Sequence, residues 1–279
     1  MSILPLQDIF TVALYTFLMD KIESAILRWL AILLIPAVAG LSVYVSVLLD
    51  EYENTRNISN GYIPPNDLYS VVTRSNEATV SIECDNKNAS GFGFIFDEFD
   101  DAKFSFEYPV DEGTIVLTNY HTVESCYIGD SIVRVKDFSS EFINAQIKAV
   151  DTENDLAALF IPKIILELKA SYYFYRTGYW VMAMGSPYGM AGTTTFGNVI
   201  NQEGNRIFTS ASLNKGNSGG PLIDNEGYVM GVNTGYTAIA QNINWAIDIN
   251  GLCNVIAICS KIAKDKRNSN LLHPVFEVE

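Results

Sequence analysis

Positive charge is scarce in this sequence. Lys and Arg total 18 against 32 Asp and Glu, which gives a formal net charge of −14. Because a chain this acidic offers no basic face for phosphate groups, nucleic acid is a poor candidate partner. The same negative field opposes electrostatic binding to anionic lipid surfaces. We therefore predict no nucleic-acid partner.

Side chains that bind metals are also scarce. The chain has two histidines, His121 and His273, and four cysteines that form neither a Cys-x-x-Cys motif nor a His/Cys cluster. This pattern predicts no metal site. His273 lies in a polar C-terminal tail, and we assign it no chemical role.

The cysteines leave the redox state open. Cys84 and Cys126 flank the segment around His121, and a disulfide between them is possible in an exported domain. Cys253 and Cys259 lie on one predicted helix, where their side chains would point to different sides. We therefore expect Cys253 and Cys259 not to pair with each other.

Charge is sparse overall, and hydrophobic residues are abundant. Charged residues make up 18% of the chain and hydrophobic residues 48%, which argues strongly against a disordered protein.

Trp29–Leu49 is a run of 21 residues without a charge. At ~1.5 Å per helical residue, this run can cross the ~30 Å apolar core of a bilayer. We favour a single transmembrane helix at 29–49 over a signal peptide cleaved near Ala37–Ala39, because the apolar run continues past that site.

The side of the membrane is predicted by the positive charges around this run. Lys21 and Arg28 precede it, and only Arg56 follows closely. This bias favours an N-terminus inside the cell and the following domain outside it. We therefore expect a single-pass protein of the cell (inner) membrane with its large domain on the periplasmic or extracytoplasmic side.

The remaining chain divides into a linker and one large domain. Residues 50–67 are rich in Asn, Gly and Pro and predict an extended linker. From 68 to 264, about a dozen short apolar segments alternate with Gly, Asn and Asp, which predicts an all-β fold of antiparallel barrels or a sandwich. Apolar residues at helical spacing near 250–264 predict one C-terminal helix. Residues 1–28 and 265–279 remain as terminal segments.

Three short motifs contain residues suited to catalysis. They are TNYHTV with His121, NDLAALFI with Asp155, and GNSGGPL with Ser218. Each has a common structural explanation when taken alone. Together they follow the order His, Asp, Ser, one of the orders in which unrelated chains build the same catalytic triad. Their combination therefore predicts nucleophilic catalysis by Ser218.

The residue types suit this chemistry. A serine hydroxyl is a weak nucleophile until a base takes its proton, and His121 can serve as that base and then as the acid. Asp155 would fix the imidazole tautomer and stabilise the imidazolium. Glycines around Ser218 allow the loop Gly216, Asn217 and Ser218 to form an oxyanion hole. The N–H groups of Gly216 and Ser218 would then converge on the substrate carbonyl oxygen.

The motifs resemble those of the HtrA/Deg branch of the chymotrypsin-like serine proteases. GNSGGPL is similar to that branch's nucleophile loop, TNYHTV to its T-N-x-H-V-V signature and DLAAL to its D-[LI]-A-x-L. The resemblance covers about Val71–Lys264. It implies two perpendicular six-stranded antiparallel β-barrels with the triad in the cleft between them, followed by a C-terminal helix. It also implies protein or peptide substrates and no cofactor, and it suggests a homotrimer.

The chain departs from the family pattern in three places. Fifteen residues follow Lys264, which is too few for the PDZ domain that members usually carry, so we expect none. The loop between Val199 and Ile207 is shorter than the sensor loop of relatives with a PDZ domain. The acidic stretch Asp97–Gly113 is interpreted as an exposed hairpin, with a lid or an oligomer contact near the cleft as the alternative.

The resemblance also suggests substrate-pocket residues. Ser212 lies six residues before the nucleophile, at the expected floor of the S1 pocket, where a Ser does not favour Arg or Lys. Leu213 and Asn244 suggest a small to medium apolar residue at P1. Asn233 is a further pocket candidate, and we also consider it as a hydrogen-bond partner of Asp155.

These inferences point to a membrane-anchored serine endopeptidase that cleaves exposed or unfolded protein segments outside the cytoplasm. Protein quality control and regulated proteolysis are the expected roles. One alternative is a catalytically silent homologue that binds proteins as a chaperone or scaffold, against which the intact triad argues. Another is the same protease facing the cytoplasm as a defence or signalling effector.

Overall fold

A computed structural model of the protein describes most of the predicted β domain. The described residues are 36–49, 61–96, 102–137, 141–170, 175–186, 192–236, 243–253 and 255–259. The chain forms two compact units, Met1–Asn60 and Gly61–Glu279. Within the first unit, residues 36–49 are helical, and the rest of the predicted span at 29–49 lies outside the described residues. None of the described helices has both the length and the apolar character that crossing a membrane requires.

The second unit is built mainly from strands. Two α-helices are described, α1 (Leu68–Ala78) and α2 (Tyr120–Gly129), with a 3₁₀ helix at Ile249–Cys253. The described strands are β1 (Thr79–Cys84), β2 (Lys87–Gly93), β3 (Ala102–Phe104), β4 (Thr114–Thr118), β5 (Val133–Lys136), β6 (Phe142–Asp151), β7 (Leu156–Ile161), β8 (Trp180–Gly185), β9 (Thr193–Glu203), β10 (Arg206–Thr209), β11 (Pro221–Ile223), β12 (Val229–Tyr236), β13 (Asn244–Asp248) and β14 (Ala257–Cys259).

Twelve of these strands close into two antiparallel barrels of six strands, which confirms the predicted all-β barrel fold. The first barrel has the order β1-β2-β4-β7-β6-β5, and the second has the order β10-β13-β12-β11-β8-β9. Strands β4, β7 and β8 are buried along their whole length, in keeping with their continuous apolar sequences. Closure pairs both edges of each sheet, so neither barrel has a free edge strand.

Tight turns connect several of these strands. β9 and β10 form a hairpin in which Glu203 pairs with Arg206, so only Gly204 and Asn205 make the turn. Gly204 has φ +59°, a left-handed conformation that glycine adopts without steric cost. The loop between Val199 and Ile207 is therefore short, as the sequence indicated.

The predicted C-terminal helix is wrong for the described residues. The 3₁₀ helix Ile249–Cys253 is followed by β14, which pairs with β3 from the acidic stretch. Ile256 is buried, whereas Val255 and Ile258 are exposed, so the apolar residues do not form one helical face. Cys253 and Cys259 form a disulfide, because the chain between them turns back instead of continuing as a helix.

The acidic stretch Asp97–Gly113 does not form a free hairpin in its described part. Residues 97–101 lie outside the described residues, and Ala102–Phe104 forms β3 against β14. Its aromatic side chains join a cluster with ring centroids 4.9 to 6.3 Å apart. The cluster consists of Phe92, Phe94, Phe96, Phe104, Phe106, Tyr108 and Phe160. These contacts bury apolar surface that an exposed hairpin would leave in water.

Candidate active site

His121 lies at the start of α2, directly after strand β4. Thr118 ends β4, Asn119 is the N-cap residue, and His121 is the second residue of the helix. The His121 side chain is 45% exposed, so its ring is open to a substrate. On the inner side of α2, Cys126 forms a disulfide with Cys84 of β1 and ties the helix to the first barrel.

Asp155 lies beside His121 because of strand pairing. β4 and β7 are neighbours, and Thr118 pairs with Ala157, two residues after Asp155. The Asp155 backbone has φ +54°, a left-handed conformation that Asp and Asn adopt more readily than most residues. This turn places the Asp155 carboxylate over the first turn of α2.

Both carboxylate oxygens of Asp155 contact His121. The backbone N–H of His121 donates to Asp155 Oδ1 at 2.9 Å. His121 Nδ1 lies 2.7 Å from Asp155 Oδ2. In the tautomer that carries its proton on Nδ1, this nitrogen donates to Asp155 Oδ2 and Nε2 can act as an acceptor. This is the tautomer that a general base requires.

Ser218 lies in the loop that precedes β11. Its Oγ donates to the carbonyl oxygen of Thr234 at 3.0 Å. In the described part of the chain, no hydrogen bond joins Ser218 Oγ to His121. Catalytic hydrogen bonds often tighten only when substrate is bound.

Asn119 and Thr234 connect the three predicted triad residues, and neither was predicted from the sequence to have a role. The buried Asn119 Nδ2 donates to the carbonyl oxygen of Asp155 at 2.9 Å and to Thr234 Oγ1 at 3.0 Å. Thr234 in turn accepts from Ser218. Asn119 is part of the TNYHTV motif, and its position close to His121 was the feature of the sequence that could have indicated a role in the site. The hydrogen-bond partners of Asn119 follow only from the tertiary structure.

The loop around Ser218 has two glycines in left-handed conformations. Gly216 has φ +103° and Gly219 has φ +88°. The turn is closed by the N–H of Asn217, which donates to the Asn214 carbonyl oxygen at 3.0 Å. The N–H of Gly220 donates to the Asn217 carbonyl oxygen, also at 3.0 Å. These bonds do not use the N–H groups of Gly216 and Ser218, the two predicted oxyanion donors.

Three of the four predicted pocket residues lie close together. The Leu213 N–H donates to Asn244 Oδ1 at 3.3 Å, and both residues are buried. Ser212 is exposed, and its carbonyl oxygen accepts from Thr195 Oγ1 at 2.8 Å. The segment before the nucleophile loop is therefore held by side chains of β9 and β13.

Asn233 has a different position from the one we considered. It does not contact Asp155, because its Nδ2 donates to the carbonyl oxygens of Met184 and Pro221 at 3.0 and 2.9 Å. The backbone carbonyl oxygen of Asn233 accepts a hydrogen bond from the Gly219 N–H at 2.7 Å. Asn233 is fully buried and supports the nucleophile loop from within the second barrel.

One group of potential metal ligands occurs among the described residues. Cys84, Asp85 and Cys126 bring ligand atoms within 4.8 Å of one another. The two sulfurs are joined in a disulfide, which leaves no thiolate to bind a metal ion. This group therefore does not fit a metal site.

This chain is similar to several known proteins. A family model described as the trypsin-like peptidase domain matches residues 105–232. The putative serine protease HhoB of Synechocystis sp. is 34% identical over 156 residues, which are 50% of this chain and 36% of the relative. The probable periplasmic serine endoprotease DegP-like of Bartonella henselae is 37% identical over 134 residues, or 43% of this chain and 25% of the relative.

A vertebrate relative and a solved structure extend the match. Serine protease HTRA1B of Danio rerio is 30% identical over 221 residues, which are 70% of this chain and 41% of the relative. The crystal structure of the serine endoprotease from Yersinia pestis superposes with a TM-score of 0.55 at 25% identity, covering 74% of this chain and 68% of the other. The chain spans less than half the length of the three sequence relatives named here. Within that span, the chain is similar to HtrA/DegP-like, trypsin-like serine protease domains.

Proposed function

We propose that this protein is a serine endopeptidase that hydrolyses peptide bonds in exposed or unfolded protein segments. The observation that carries the proposal is the pair of contacts from His121 to both carboxylate oxygens of Asp155. They leave Nε2 of a solvent-accessible imidazole as a free base in the same hydrogen-bonded network as Ser218. The relatives named as serine proteases support the same activity.

In the proposed reaction, Ser218 is the nucleophile. Its hydroxyl turns from the Thr234 carbonyl oxygen to His121, which takes the proton as Oγ attacks the scissile carbonyl carbon. The N–H groups of Gly216 and Ser218 stabilise the resulting oxyanion. Asp155 stabilises the imidazolium, which then donates its proton to the leaving amine. A water molecule activated by His121 hydrolyses the acyl-enzyme and regenerates Ser218.

The pocket assignment belongs to the same proposal. Ser212, Leu213 and Asn244 would shape the S1 pocket, and none of them carries a charge that would bind the side chain of Arg or Lys. We therefore expect a small to medium apolar residue at P1. Asn233 acts in this proposal as a support of the nucleophile loop instead of as a pocket wall.

We propose an extracytoplasmic location for the protease domain. The described residues contain two disulfides and no free cysteine, and disulfides persist mainly in oxidising compartments. The uncharged run 29–49 would hold the chain to the membrane as a single-pass helix. A homotrimer is proposed from the family resemblance alone.

The activity is tested by replacing the nucleophile. Ser218→Ala removes only one oxygen, so we expect an intact fold by circular dichroism and a loss of nearly all hydrolysis of casein. The wild-type protein should bind a fluorophosphonate probe covalently, and the variant should not. If the folded wild type neither reacts with the probe nor cleaves casein, the catalytically silent alternative is correct. Probe labelling of intact against permeabilised cells tests the location.

A further inference from the structure

Ser90 belongs to the first barrel but bonds mainly to the nucleophile loop of the second. It lies in β2 and is fully buried. Its N–H donates to the carbonyl oxygen of Ser218 at 2.9 Å, and its Oγ donates to the carbonyl oxygen of Gly216 at 2.6 Å. One residue thus holds the carbonyl groups of both proposed oxyanion donors.

The direction of the Ser90 hydroxyl proton is fixed by a second bond. The Ser186 N–H donates to Ser90 Oγ at 2.8 Å, so this oxygen already acts as an acceptor. Its single proton is then directed to the Gly216 carbonyl oxygen. The Ser90 carbonyl oxygen accepts from Thr118 Oγ1 at 2.7 Å. Every backbone and side-chain polar group of Ser90 is therefore bonded.

The nucleophile loop needs such an external restraint. Gly216 and Gly219 have positive φ, and glycine reaches both signs of φ at little cost, so their own sterics do not select one loop conformation. The Asn217 side chain, also buried, adds no restraint through its Oδ1, which has no hydrogen-bond partner among the described residues. The bonds from Ser90 therefore restrain the loop from the first barrel, in addition to the bonds that Asn233 makes with it from the second.

Close packing around Ser90 depends on two further features of the sequence. A Cβ on Gly185 would lie 2.8 Å from Asn217 Cα and 2.9 Å from Ser90 Oγ. A Cβ on Gly219 would clash with the Ser90 carbonyl oxygen. Glycine at both positions lets β2 and β8 approach the nucleophile loop closely enough for the bonds of Ser90 to form.

We propose that Ser90 is a positioning residue for the oxyanion hole. By bonding the Gly216 and Ser218 carbonyl oxygens, it fixes the peptide groups on either side of the Asn217–Ser218 peptide, and so limits the directions in which the Gly216 and Ser218 N–H groups can point. It touches neither the substrate nor the reacting atoms. This inference rests on the proposed serine endopeptidase function, because an oxyanion hole has a role only if Ser218 attacks a carbonyl.

The test compares Ser90→Ala with Thr79→Val in the full-length protein. Thr79 is a matched control, because its buried Oγ1 also donates to a backbone carbonyl oxygen, that of Ser75 at 2.7 Å, without touching the nucleophile loop. Ser90→Ala removes two buried hydrogen bonds, one that Ser90 Oγ donates and one that it accepts, whereas Thr79→Val removes one. Both variants should therefore have lower melting temperatures than the wild type. Only Ser90→Ala is expected to lower kcat, by ~10–100-fold, because small displacements of catalytic donors cost factors of this size.

The readouts separate positioning from stability. Activity on a peptide p-nitroanilide is measured per active site titrated with fluorophosphonate, and KM should change little. Affinity for a peptide boronate, which forms a tetrahedral adduct, should fall by the same factor as kcat. Ser90→Cys keeps a polar side chain with a weaker donor and a larger atom, so it should also lower kcat, and it serves as the test if Ser90→Ala does not fold.

Two results would overturn the inference. One is a wild-type kcat per titrated site in Ser90→Ala, whatever its melting temperature. The other is an equal loss of kcat in Ser90→Ala and Thr79→Val. Failure of the proposed function looks different, because the folded wild type would then be inert toward both the substrate and the fluorophosphonate.

Discussion

At the scale of single residues, the site depends on backbone conformations that few residue types adopt. Asp155 turns the chain at φ +54° between β6 and β7, and this turn lets both of its oxygens reach His121. A residue that tolerates this backbone is therefore as necessary as a carboxylate. Asp satisfies both requirements, and Asn satisfies only the first.

Asp155→Asn should separate the two requirements. Asn tolerates the left-handed conformation, so the fold and the melting temperature should change little. Its amide cannot reproduce both carboxylate contacts with His121, and the wrong tautomer becomes favoured, so kcat should fall by ~10³–10⁴. Steady-state kinetics and circular dichroism on the same sample provide the check. An unfolded variant would instead make Asp155 a structural residue.

At the scale of elements, the segment that follows β7 is hydrogen-bonded to the chain at the end of β2. Leu168 lies in the segment after β7, and its N–H donates to the Gly93 carbonyl oxygen at 2.8 Å. The Leu168 carbonyl oxygen accepts from the Ile95 N–H at 3.1 Å. The neighbouring Glu167 is half-buried, and this burial raises the pKa of its carboxyl group. The raised pKa means that folding disfavours the charged form of Glu167.

Glu167→Gln should therefore stabilise the protein in a pH-dependent way. At acid pH, below the ordinary pKa of Glu, the carboxyl is neutral in the folded and unfolded states, and the variant should match the wild type. As the pH rises, the unfolded chain ionises first, so the wild type loses stability relative to the variant. The gain at neutral pH should stay below about 1 kcal/mol, because the group is partly solvated. Urea denaturation across this pH range measures the difference. A variant that is less stable at neutral pH would contradict it.

At the scale of the whole molecule, the barrel unit extends N-terminally beyond α1. Gly61 accepts a hydrogen bond at its carbonyl oxygen from the Trp180 N–H at 2.7 Å. The Tyr62 ring packs edge-on against Tyr179, with centroids 4.7 Å apart. Asn225 Nδ2 donates to the Ile63 carbonyl oxygen at 3.1 Å. These contacts attach the end of the predicted linker to the second barrel.

Truncation tests this attachment. A chain beginning at Gly61 should fold as stably as the full-length protein. A chain beginning at Pro65 leaves the Trp180 N–H without its partner and exposes Tyr179, so its free energy of unfolding should be lower by ~1–3 kcal/mol. Denaturant unfolding of the two purified chains gives the difference. Equal stability would mean that the contacts of 61–63 contribute nothing.

The local strand pattern was sufficient to predict an all-β fold, and the resemblance of the three motifs to serine proteases predicted the two barrels. The apolar segments predicted strands because their residue types suit buried pleated surfaces, and the three motifs were compact enough to be found without a fold. The contact between His121 and Asp155 agrees with the predicted pairing. The catalytic roles of His121, Asp155 and Ser218 and the predicted pocket stay predictions. The C-terminal helix was predicted wrongly, because helical spacing over a few residues is also compatible with a turn and a short strand.

Tertiary structure alone decided the partners of the polar side chains around the site. Asn119 bonds to a residue 36 positions away, and Ser90 bonds to one 126 positions away. Such pairs follow from which strands become neighbours when each barrel closes, and the strand pattern of the sequence is compatible with many pairings. The disulfide between Cys253 and Cys259 was also decided by the tertiary structure, because it forms only if the chain between them is not a continuous helix. The sequence determined which residues are candidates for catalysis, and barrel closure determined which residues form hydrogen bonds with them.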